Sequence, residues 1–240
     1  MSENYDAPVK IAEGNFWVGF TEAESALRTN VYLIESGDEI AIIDPGSALY
    51  FDTFYKQISG QFDVKKIKHF ICNHQDPDVC ANLPLWEQKV SGAKIYGHTK
   101  VNVLIAHYGV KSELVNVDLT GYELKLPDRM LKFIFMPYMH SPGEIMVYDT
   151  KTKVLFSGDI FGGLSMDWDL YANQDYMGAM DAFMENYMPS HEIVSTNLKK
   201  LDGLEIEMIA PQHGSIIPKE KVASFIKELS DLECGSFLYE

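Results

Sequence analysis

The sequence predicts a layered α/β domain whose reactive side chains gather along one rim of its sheets, and three observations lead there. Short runs rich in β-branched and aromatic residues recur along the chain, each closing on a turn marked by Gly or Pro. Stretches with apolar residues at helical spacing lie between them. The turns carry the acidic and imidazole side chains. EIAIIDPG ends at Asp44, KHFICNHQDPD holds His74, Asp76 and Asp78, and LKFIFMPYMHSPG holds His140. KVLFSGDIFGG supplies Asp159 and LEIEMIAPQHG supplies His213. Polar groups at the ends of strands that alternate with helices are the signature of such a layered domain.

Taken in chain order, helices are expected over 49–59, 83–91 and 101–109, and again over 175–188, 191–201 and 218–233. The last shows Val222, Phe225, Ile226 and Leu229 at helical spacing, a core-facing stripe. The 240 residues are 46% hydrophobic, enough for a substantial core. They contain no low-complexity segment, no long charge block and no Pro/Gly/Ser linker, so one domain over 1–240 is expected.

The formal net charge of -15, from 35 acidic and 20 basic residues with no dense basic block, speaks against nucleic acid as a partner. MSENYDAPVK lacks the basic and apolar regions of a signal peptide, and no apolar run reaches the length of a membrane span. Three cysteines, Cys72, Cys80 and Cys234, make no disulfide framework. A cytoplasmic protein that avoids membranes is expected.

In NHQDPDVC, His74, Asp76 and Asp78 occupy alternate positions, which in extended chain puts three metal-capable side chains on one face. The competing reading is a polar turn in which Asp76 or Asp78 caps the next helix. His140, Asp159 and His213 shift the balance toward a metal, because each sits in a Gly- or Pro-marked turn able to aim a side chain into a rim pocket.

The order HxDxD, H, SGD and HG, with Asp44 after IAIID, resembles the metallo-β-lactamase superfamily over nearly the whole chain. That resemblance implies an αββα sandwich with a dinuclear metal site along one edge of its two sheets. Asp76 stands where zinc hydrolases of the superfamily carry a second imidazole, and it is the shorter homologue of the glutamate in the HxExD of flavodiiron proteins. A carboxylate there suits iron or manganese better than zinc. The resemblance assigns His74, Asp76 and His140 to one iron, Asp78 and His213 to the other, and Asp159 to both. The implied cofactor is two iron ions, oxo- or peroxo-bridged when oxidised, with manganese or zinc as alternatives. Val79, where the family often has His, is expected to leave the second metal open to water, dioxygen or nitric oxide.

Flavodiiron proteins continue into a flavodoxin domain that carries FMN. The sequence given stops at Glu240 and has no CxxC pair of the rubredoxin type, so no FMN is expected in it. It then resembles most the stand-alone oxygen-binding diiron proteins. That likeness implies dioxygen binding for storage or for sensing, with a link to chemotaxis and a signalling partner. One alternative is a dioxygen or nitric oxide reductase fed by a separate flavoprotein or rubredoxin. A second is a dinuclear zinc hydrolase. A homodimer is a further expectation from the relatives. No catalytic group beyond the ligands is expected.

Around the site, Tyr138 and Tyr171 are candidates to shape a ligand pocket, and His98, after a strand-like run, to support the ligands. Trp168, Cys72 and Cys80 read as packing residues.

Overall fold

Continuous apolar runs such as IAII and KHFI are what strands buried on both faces require, and the fold provides both coverings. The structure is a computed structural model and describes residues 5–19, 28–165 and 169–235; Trp168 lies outside them. Seven strands form the first sheet, in chain order: β1 (Val9–Ala12), β2 (Asn15–Val18), β3 (Val31–Ser36), β4 (Glu39–Ile43), β5 (Ile67–Ile71), β6 (Lys94–Gly97) and β7 (Leu114–Asn116). The second sheet takes β8 (Glu123–Leu126), β9 (Arg129–Phe135), β10 (Ile145–Asp149), β11 (Val154–Gly158), β12 (Met208–Pro211) and β13 (Ile217–Pro218), in the order β13-β12-β11-β10-β9-β8. The pairs β4–β5, β5–β6, β6–β7 and β11–β12 are parallel and the others antiparallel.

The period-2 alternation of β4 shows how the layers assemble. Ile40 and Ile42 pack outward with Phe54, Ile58, Leu83, Trp86 and Ile105. Those residues come from α1 (Phe51–Gln61), α3 (Leu83–Trp86) and α4 (Thr99–Ile105), with α2 (Pro77–Cys80) between the first two in sequence. Ala41 and Ile43 pack inward with Leu131, Phe133, Val147 and Phe156 of the second sheet. On the far side, Tyr148, Leu155 and Ile209 meet α5 (Tyr176–Tyr187), α6 (His191–Leu198) and α7 (Lys219–Asp231). The order is helices, sheet, sheet, helices.

The six expected helices are present, several shortened by tighter turns. The one expected over 83–91 keeps its α-helical hydrogen bonds only over Leu83–Trp86, and the one over 101–109 starts earlier, at Thr99. His98 explains that start: its Nδ1 accepts from the Lys100 amide at 3.1 Å. Val222, Phe225 and Leu229 of α7 are buried as expected. Most of the antiparallel strands had no counterpart among the five runs singled out in the sequence; β2, β3 and β10 are buried on both faces but do not end in a turn carrying candidate ligands.

Candidate metal centre

Every candidate ligand lies beyond the end of a strand, in the loop or short helix that follows it. The first loop begins at Asp44, which follows β4 with φ +48 and is buried. Its Oδ1 accepts from the Asn73 amide at 2.9 Å, and its own amide donates to the Ile71 carbonyl at 2.8 Å. Burial lifts the Asp44 carboxyl to about 7, although His74 and the Asn73 amide pull it down. The Asn73 carbonyl accepts from Ile145 of the second sheet at 3.0 Å, so this loop is tied to both layers.

Asp76 occupies the N-cap position of α2 but makes no side-chain cap bond. Its Oδ2 instead lies 3.9 Å from both His74 Nε2 and His140 Nε2. Donor atoms of His74, Asp76 and His140 all fall within 4.8 Å of one another. Asp78, in the first turn of α2, faces the other way and brings Oδ2 to 3.2 Å from His213 Nε2. The alternation in NHQDPDVC therefore becomes a division of labour, with Asp76 on one side of the centre and Asp78 on the other.

Asp159, which follows β11, stands between the halves. Its Oδ2 is 3.1 Å from His140 Nε2, while its Oδ1 is 3.4 Å from His213 Nε2 and 3.6 Å from His74 Nε2. The turns bearing Asp159 and His213 are joined by the Gln212 amide, which donates to the Gly158 carbonyl at 2.7 Å. His213 Nδ1 donates to the Arg28 carbonyl at 2.8 Å, which leaves the Nε2 lone pair facing the centre.

The electrostatics show what such a cluster demands. Burial opposes charge on His213, yet Asp159 and Asp78 outweigh it and lift the imidazolium to about 10. Burial likewise opposes charge on His74, and Glu144 and Asp159 overcome it, raising its pKa well above the usual range. The Asp159 carboxyl is penalised by burial, but His74 and His213 hold it well below the usual range. Both nitrogens of His74 and Oδ1 of Asp159 are buried without a hydrogen bond. Such orphans fit a cation bound between carboxylates and imidazoles, since the donor set is hard oxygen with borderline nitrogen.

The expected supporting residues fare differently. His98 caps α4 and stacks on Phe135 with ring centroids 4.4 Å apart. Tyr138 is half exposed, with the Lys100 ammonium 5.6 Å from its ring. The aromatic neighbours of the imidazoles come from α5 instead: Tyr187 packs edge-on to His140 at 4.8 Å and Phe183 to His213 at 6.0 Å. Their helical spacing was legible in the sequence, but not which face of α5 would meet the rim. Glu144 also escaped the sequence analysis. It is buried, and its Oε1 is 3.4 Å from His74 Nδ1.

Val79 is fully buried and belongs to the apolar cluster between the first sheet and its helices, with Phe51, Phe54, Leu83 and Trp86. The valine is thus a packing residue. Val79→His is expected to lower the stability of the metal-free protein by about 1–3 kcal/mol through overpacking, with a further penalty for the buried polar ring. Thermal denaturation checks it; an unchanged midpoint would show that the position tolerates imidazole. Cys72 and Cys80 are buried in the same cluster, as expected.

Comparison with known proteins gives the same picture. The family model described as ODP family beta lactamase matches residues 27–214. A structure of the chemotaxis sensor ODP in a peroxy diiron state is 29% identical with a TM-score of 0.82, covering 97% of this chain and 98% of that one. The apo state of the chemotaxis sensor ODP from T. denticola is 30% identical with a TM-score of 0.78, over 96% of this chain and 95% of that one. Among curated relatives, the type A flavoprotein fprA of Rhodobacter capsulatus is 25% identical over 228 residues, 88% of this chain and 52% of that protein. The anaerobic nitric oxide reductase flavorubredoxin of Aeromonas hydrophila is 25% identical over 209 residues, 83% of this chain and 42% of that protein. The chain thus spans about half the length of these curated relatives. With a two-sheet sandwich, the ordered ligand motifs and a family match over most of its length, the chain belongs to the ODP family of beta-lactamase-fold proteins, within the flavodiiron branch of the metallo-β-lactamase superfamily.

Proposed function

We propose that this protein binds dioxygen at a pair of iron ions and serves as an oxygen sensor. His74, Asp76 and His140 would hold one iron and Asp78 and His213 the other, with Asp159 shared. One observation carries the proposal: Asp159 presents one oxygen to His140 and the other to His213, while Asp76 supplies a carboxylate where an imidazole would favour zinc. The ODP relatives, diiron and sensory by name, support it. Both sheets contribute ligands to one centre, so we take the described residues as one domain.

Iron bound there would supply reversible one-electron oxidation and coordination positions for a diatomic gas. The chain's own residues do the rest. The Arg28 carbonyl fixes the tautomer of His213. Phe183 and Tyr187 pack edge-on against the imidazoles of His213 and His140. A cavity of about 390 Å³, lined by Leu164, Ala179, Ala182, Phe183, Asn186 and Tyr187, lies on the other side of those two aromatics. With Asp78 and His213 as its only unshared ligands, the second metal has fewer protein donors and is the proposed gas position.

The second reading is a dioxygen or nitric oxide reductase supplied by an external donor, favoured by the relatives that bear that activity in their names. Manganese or zinc in place of iron, a signalling partner and a homodimer belong to the same set of proposals. No described helix is long and apolar enough to cross a membrane.

The decisive experiment is anaerobic purification, metal analysis and then admission of air while the visible spectrum is followed. An iron pair with a slowly decaying charge-transfer band is expected. Rapid turnover with an added reduced flavoprotein or rubredoxin would instead identify a reductase. A zinc pair with no spectral change would overturn both.

A further inference from the structure

We propose that Glu144 is the positioning carboxylate of this centre: it holds the Nδ1 proton of His74, so that Nε2 is presented to the metal. The inference rests on the metal-centre reading above and adds a residue outside the ligand set.

Glu144 has no exposed surface, and neither of its carboxylate oxygens has a hydrogen bond. A buried carboxylate without compensation costs several kcal/mol, so its neighbours need to explain it. Burial pushes its carboxyl up, against the pull of the neighbouring imidazoles of His74 and His140. The nearest is His74, with Nδ1 3.4 Å from Oε1. That distance marks an ion contact longer than a good hydrogen bond. Nδ1 and Nε2 lie on opposite sides of the ring, and Nε2 is the atom that faces Asp159 and Asp76. Glu144 therefore stands behind His74 as a buttress, outside the ligand cluster. His213 receives the equivalent service from a backbone carbonyl.

The surrounding backbone is built around this carboxylate. Glu144 lies in the turn between His140 and β10, with its carbonyl accepting from the Met136 amide at 2.8 Å. The next residue, Ile145, bonds the Asn73 carbonyl beside His74. Gly158 has φ +61, and a Cβ there would sit 2.8 Å from Glu144 Oε1 and 3.1 Å from Asn73 Cβ. The glycine of the SGD motif thus both permits a left-handed turn and leaves the space that Glu144 fills.

The test uses zinc and ferrous iron in competition titrations with a chelator, together with ¹⁵N spectra of the histidine side chains in the zinc-loaded protein. In the wild type, His74 is expected to carry its proton on Nδ1. Glu144→Ala is expected to weaken the metal bound by His74 about 10–100-fold, the usual cost of losing such a partner, with less effect on the metal held by Asp78 and His213. Glu144→Gln keeps the shape and an acceptor but removes the charge, so it should retain the tautomer and still lose about tenfold in affinity. A change in melting temperature alone would mark a merely structural role. If Glu144→Ala does not fold, Glu144→Gln decides: wild-type affinity in that variant overturns the inference. A wild-type protein that binds no metal pair would overturn the metal-centre reading itself.

Discussion

Asp159→Ala is expected to release both metal ions together, leaving a protein with neither. The carboxylate reaches His140 with one oxygen and His213 and His74 with the other, which puts it within reach of both halves of the centre. Its removal takes a ligand from each ion and leaves two buried imidazoles and a partly buried third facing one another with less negative charge between them. Metal affinity is linked to folding, because the ligands are assembled only in the native state. The variant should therefore melt lower than the loaded wild type, with little further loss on adding chelator. Metal analysis after gel filtration is the direct measurement. A variant retaining a full pair would refute the shared-ligand assignment, and one retaining a single ion would place Asp159 on the other ion alone.

Asp149→Ala carries the largest expected loss of stability, about 3–5 kcal/mol. Asp149 and the Arg129 side chain are essentially inaccessible, and Arg129 Nη1 donates to Asp149 Oδ2 at 2.8 Å. The same oxygen accepts from Asn15 Nδ2 at 3.1 Å and from Thr152 Oγ1 at 2.6 Å. Arg129 also donates to the Asn15 side chain at 2.9 Å and to the carbonyls of Glu13 and Glu35. The network bolts β2 of the first sheet to β9 and β10 of the second. Without Asp149, the buried guanidinium keeps only the half-exposed Asp128 carboxylate, 3.1 Å from its Nε, as counter-charge and loses its buried one, which costs more than the ion pair itself contributes. Urea denaturation of the metal-free protein measures the effect. Adding Arg129→Met should restore part of the stability by removing the stranded charge, and a double variant less stable than Asp149→Ala would contradict this account.

The ligand set shows how far the sequence reached. His74, Asp76, Asp78, His140, Asp159 and His213 were all identifiable, because each sits in a short window where an apolar run meets Gly, Pro or a polar turn. Turn chemistry of that kind is local and leaves a local mark. The helices were legible for the same reason, as in the stripe of α7. Val79 was misleading, since nothing in NHQDPDVC shows that α2 turns its side chain into the helix-side core. Tyr138 was a similar case: two positions from His140 in sequence, its ring meets the Lys100 ammonium, whereas Tyr187, far along the chain, packs edge-on against the imidazole.

What the sequence determined by itself was the layered α/β class and the set of candidate donors, carboxylate-rich and placed in turns. These follow from residue type and short-range periodicity. What only the tertiary structure decided was which donors face one another and what stands behind them. Asp159 between three imidazoles, Glu144 behind His74, and Asp149 with Arg129 across the sheets all join residues through strand pairing and close packing. Those contacts are fixed by the burial of two sheets against each other, a property of the whole fold that no short window of sequence contains.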